Sequence, residues 1–145
     1  MKIPAGAWVV VADGGRWRRY ENAGTAVAPD LRLLAEESQD NPPAHEQGDD
    51  RGGRMSAPST PRSAMETPDL HEQNEIEFTA ALVKSLNEQA AAGAFQHLFV
   101  AADPRTLGRM RPALSAATKG LLLAEINKDL TRHSPSDIAD IVNAV

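Results

Sequence analysis

The stretch WVVVADGGRWRRYEN, residues 8–22, spells out two strands and the turn that joins them. Ala7–Ala12 is an apolar, β-branched run that stops at Asp13-Gly14-Gly15, residues suited to a hairpin turn. Arg16–Glu21 then makes the return strand, with Trp17 and Arg19 on one face and Arg18 and Tyr20 on the other. A dinucleotide loop is excluded here: the G-x-G-x-x-G order is missing, and a strand follows the glycines where a helix would be needed.

Further along, a polar turn at Asn22-Ala23-Gly24-Thr25 leads to a third strand near Leu31–Glu36. A helix is the alternative for that segment, but the turn signals around it favour a β-meander. Residues 40–68 hold no Val, Ile, Leu, Phe, Trp or Tyr, yet contain Pro42, Pro43, Pro58, Pro61, Pro68, Gly48, Gly52 and Gly53. Such a segment has little to bury against its ordering entropy, so it is expected to form a long, exposed and mobile loop.

Beyond Pro68, Asp69 and Glu72 form a capping-box pattern that opens a helix. Ile76, Ala80, Val83, Leu86 and Ala90 fall on one stripe of it, and Gly93 ends it. His97–Ala102 reads as a buried strand, Asp103-Pro104 as a helix start, and Leu121–Ile126 as another buried strand. Ser134-Pro135 opens a last helix with Ile138, Ile141 and Val142. The order βββ-α-β-α-β-α predicts a single α/β domain over residues 1–145. Its one mixed sheet would be antiparallel at the N-terminus and parallel afterwards.

Composition bounds the function. The chain has 145 residues, 41% hydrophobic and 24% charged, with a net charge of −5 and no cysteine. Disulfides, thiolate nucleophiles and Cys-ligated metal sites are therefore excluded. The apolar run Trp8–Ala12 is too short for a signal-peptide core, and no stretch approaches a membrane span. The expectation is a cytoplasmic protein with no membrane partner.

No Walker A, H-E-x-x-H or G-x-S-x-G pattern occurs, and no cofactor is expected. His45, His71, His97 and His133 are scattered without metal-ligand spacing, so no metal site is expected. Asp13 and Asp103 follow strand ends, Glu125 lies in the last strand and Asp129 just after it. Converging, they would make a two-metal nuclease; separately, they are turn, cap and ion-pair residues.

Pro104–Ala124 carries Arg105, Arg109, Arg111 and Lys119 without an acidic residue, and Lys128 and Arg132 follow. Arg105 and Arg109 are four apart and share a helix face. In an acidic chain this reads either as a segregated face for phosphate backbones or as a solvated helix face. Arg16, Arg18 and Arg19 alternate on an exposed hairpin, and Arg51, Arg54 and Arg62 lie in the loop. Aromatic residues are too few for a base-stacking platform, so contacts would be to structured RNA backbone, without reading of DNA sequence.

The segments WVVVADGGRWRRYEN, DDRGGR, GAFQHLFVAADPRTLGRMRPAL and AEINKDLTRHSPSDI resemble, in this order, the bacterial family "protein required for attachment to host cells". That family is related to archaeal and eukaryotic peptide-chain release factors. The resemblance implies their middle-domain fold, akin to ribonuclease H and the ribosomal S11/L18 group. It also places Arg51, Gly52, Gly53 and Arg54 where release factors carry the Gly-Gly-Gln tripeptide that enters the peptidyl-transferase centre. Arg54 stands in place of the Gln and cannot act as a neutral amide, though it can hold RNA phosphate. The resemblance thus implies a ribosome- or RNA-binding domain. Its rivals are a release-factor-like esterase, the metal nuclease, and a protein-interaction module that affects attachment through a protein partner.

Overall fold

The structure is a computed structural model that describes residues 1–39 and 70–145. The expected loop at 40–68, with Arg51–Arg54, lies outside the described residues, as does Asp69 of the capping box.

Five strands among these residues form one sheet: β1 (Trp8–Ala12), β2 (Arg16–Asn22), β3 (Leu31–Ser38), β4 (Leu98–Ala102) and β5 (Leu122–Ile126). Their spatial order is β3-β2-β1-β4-β5. The β1–β2 and β2–β3 ladders are antiparallel, whereas β1–β4 and β4–β5 are parallel, as the element order implies. β1 and β4 are buried at every position because both their faces are covered.

The turn after β1 needs no positive φ. Asp13 Oδ1 instead accepts from the backbone N–H groups of Gly15 and Arg16, each at 2.8 Å. Asn22 organises the second turn: its buried side chain donates to the Ile3 carbonyl (2.9 Å) and accepts from Gly24 N (2.9 Å) and Asp30 N (2.8 Å). Gly24 is required there, since a Cβ would lie 2.3 Å from the Ala28 carbonyl oxygen.

Two apolar clusters flank the sheet. On one face Trp8, Val10, Leu98 and Val100 meet Leu82, Val83 and Leu86 of α1 (Leu70–Ala91) and Leu107 and Met110 of α2 (Pro104–Met110). On the other, Val9, Val11, Phe99 and Ala101 meet Ile138, Ala139 and Val142 of α4 (Pro135–Asn143). Truncating a fully buried aromatic such as Phe99 to Ala removes about 3–5 kcal/mol in such settings.

Three expectations are corrected. Ile76 and Ala80 are exposed, and the buried stripe of α1 is Thr79, Leu82, Val83 and Leu86. The helix is rotated so that Thr79 rather than Ala80 faces the sheet, and its first turns line a cleft through His71 and Glu75. The helical stretch after Asp103 is divided: α2 passes into a 3₁₀ turn (Arg111–Ala113), and Ser115 caps a separate α3 (Ala116–Leu121). Pro112, lacking an N–H, ends the first ladder. The last strand accordingly begins at Leu122 rather than Leu121, and as an edge strand it is buried at Ile126 alone rather than throughout.

Candidate functional site

Where β1 and β4 end, their following residues open into a cleft of about 850 Å³. It is lined by Asp13, Gly14, Gly15 and Arg16 of the first turn and by Asp103, Arg105 and Thr106 at the start of α2. Asp129 and Arg132 reach it from the β5–α4 connection. Ser38 and Gln39 at the end of β3, with His71 and Glu75 of α1, complete the lining.

The acids of this cleft are committed to local structure. Besides its two backbone bonds, Asp13 lies 3.3 Å through Oδ2 from the Thr131 hydroxyl. Asp129 Oδ1 accepts from the Thr131 N–H (2.9 Å) and approaches its hydroxyl at 2.6 Å. One hydroxyl proton serves one acceptor, and the shorter contact assigns it to Asp129. Asp103 caps α2, accepting from Thr106 N at 3.2 Å and from the Thr106 hydroxyl at 2.7 Å.

Glu75 ties three elements together. It meets His71 Nε2 at 3.2 Å and Arg109 Nη1 at 3.4 Å, while Arg109 Nη2 reaches Glu72 at 3.5 Å. Gly14 passes so close that a Cβ there would fall 2.6 Å from Glu75 Cδ. This hub clamps α1 over both the first turn and α2.

The basic residues singled out from the sequence are therefore divided. Arg105 and Arg132 are exposed at the cleft, and neither forms an ion pair with a described residue. Arg16 stands with them, 4.0 Å from Asp13. Arg109 is turned inward to Glu72 and Glu75, and Arg111 Nε donates to Glu125 at 2.7 Å. Lys119 and Lys128 are exposed but do not line the cleft.

The nuclease alternative needs Glu125 beside Asp13 and Asp103. Glu125 instead pairs with Arg111 outside the cleft. Among the described residues no group of three or more His, Asp or Glu side chains is placed to hold a metal ion.

Arg19 is also not where the alternation of an exposed hairpin would leave it. Its guanidinium lies over Trp8 (4.8 Å) and Trp17 (5.5 Å), with Nη1 3.4 Å from the Ser85 hydroxyl and Nε buried without a hydrogen-bond partner. Burial pushes its pKa below the ordinary guanidinium value.

Sequence reasoning missed Arg16 as a cleft residue, Glu75 as a hub and Thr131 as a link. The i,i+4 spacing of His71 and Glu75 is a visible signal for one of these contacts. The other contacts join positions remote in sequence, and nothing local announces them.

A mixed α/β sandwich with an arginine-bearing cleft beyond its parallel strands is the class these observations define. Within that class, the chain matches the family described as "Bacterial archaeo-eukaryotic release factor family 12" over residues 6–142, and it belongs to that family. The kinship with release factors expected from the sequence holds at this level. A search of the curated proteins finds no match.

Proposed function

We propose that this release-factor-related domain is a non-enzymatic module that docks on the ribosome, or on similarly structured RNA, through the cleft bearing Arg16, Arg105 and Arg132. One observation carries the reading. Three guanidinium groups from three separate elements line one cleft, and two of them have no carboxylate partner among the described residues. Arginine's planar fork suits phosphate, and groups held on different elements suit a folded backbone rather than a base edge. Membership of a release-factor-related family supports the ribosome as the source of that RNA. The module acts in the cytoplasm, and any effect on attachment to host cells follows from translation of other proteins. No helix among the described residues is long and apolar enough to cross a membrane.

The test is co-sedimentation with ribosomes and binding to rRNA fragments across a salt series. Arg105→Glu with Arg132→Glu should abolish salt-sensitive co-migration. It should also flatten the slope of log K against log salt by about 0.7–0.9 for each phosphate no longer neutralised. Unchanged affinity and slope would overturn the assignment.

A further inference from the structure

We propose that the open edge of β3 pairs with β3 of a second copy of this chain, joining two sheets into one. β3 stands at the end of the strand order and is eight residues long, yet only Leu31 is buried. Leu33 and Leu34 are 48% and 44% exposed, which leaves apolar surface on both faces of this edge strand.

The backbone groups of this edge can be assigned from the ladder. Asn22 and Arg16 turn theirs toward β1, in the Asn22 N to Ala7 O and Asp13 N to Arg16 O bonds. The alternate residues face β3, as in the Ala23 N to Asp30 O and Gln39 N to Gly15 O bonds. Alternation on either side of the bulge opposite Arg19 and Tyr20 then leaves Leu31, Leu33, Glu36 and Ser38 with N–H and C=O directed outward.

A two-fold axis between Leu34 and Ala35 satisfies these groups. It sets Leu33 against Glu36 of the second copy and Leu31 against its Ser38, so outward groups meet outward groups. Both copies carry the bulge at the same distance from the axis, so the irregular spacing matches across the seam. In this register Arg32 lies directly opposite Glu37 of the second copy, twice by symmetry, and directly opposed charges attract.

The charges are available for that pairing. Glu37 has no ion-pair partner among the described residues. The partner of Arg32 is the neighbouring Asp30, 2.8 Å away, with the arginine side chain 69% exposed. The other edge offers no such match: β5 has five residues, Glu125 is its one charge, and Arg111 already holds it.

Sedimentation velocity of the full chain over a wide concentration range tests the proposal, with hydrogen exchange as a second readout. A concentration-dependent dimer is expected, in which the amides of Leu33 and Glu36 exchange more slowly than in the monomer. Arg32→Glu or Glu37→Arg alone should weaken association about tenfold. The double variant R32E/E37R should restore it, which no general loss of folding can imitate. Three outcomes overturn the proposal: a monomer at every concentration, a dimer indifferent to the swaps, or Leu33 and Glu36 amides already protected in the monomer.

Discussion

Arg105 and Arg109 sit one turn apart on the same short helix, carry the same charge, and do opposite things. Arg109 leans back onto α1, where Glu72 and Glu75 receive it and its side chain is 18% exposed. Arg105 faces the cleft and forms no ion pair with a described residue. A basic helix face is therefore not a unit of function. Each cation must be traced to its nearest acid, and only the remainder is left for a ligand. By that reckoning Arg105 and Arg132 are left for a ligand, Arg16 stands beside them in the cleft with Asp13 at 4.0 Å, and Arg109 and Arg111 are part of the scaffold.

Mutation can break this division directly. Arg109→Met should lower stability by about 1–2 kcal/mol in denaturant unfolding, less than a fully buried pair would lose, because Glu72 remains in contact with water. RNA affinity should stay near that of the parent protein. If Arg109→Met weakened RNA binding as much as charge reversal at Arg105 and Arg132, the distinction between scaffold and site would collapse.

Arg19 sharpens the contrast from another side, since it is a partly buried arginine held by two indoles and no carboxylate. Arg19→Leu removes an unpartnered buried Nε together with a cation–π contact, and stability should change by less than about 1 kcal/mol. The pH dependence has a definite sign. A base whose folded pKa is depressed binds fewer protons when folded, so stability rises with pH only between the folded and unfolded values. Those lie in the strongly alkaline range, and the contribution of Arg19 should be flat through neutral pH. The smallest effect belongs to Arg111→Ala. This removes an exposed ion pair with Glu125 and should shift stability by no more than about 0.5 kcal/mol in the same unfolding assay.

The legible parts of the molecule are those written in local chemistry. A β-branched run before Asp13-Gly14-Gly15 announces the β1–β2 hairpin, and Pro after Asp103 and Ser134 marks two helix starts that the structure keeps. The buried stripe of α1 is only partly legible. Ile76 and Ala80 fit a helical stripe as well as Val83 and Leu86 do, but spacing alone cannot choose that stripe over the one through Thr79, Leu82, Val83 and Leu86. The basic segment misleads for a related reason. Arg109 has no acid near it in sequence, and its neutralising pair arrives from a helix on the other side of β4 in the chain. Distances of that kind belong to the fold alone.

The side-chain amide of Gln39 donates to the Asn74 carbonyl at 3.2 Å, fastening the end of the meander to the second turn of α1. The two stems are thereby held together whatever length of chain runs between them. Longer excursions cost little in chain entropy, about 0.6 kcal/mol for each doubling. The clasp thus fixes the distance between the two stems at the rim of the cleft, which Gln39 itself lines.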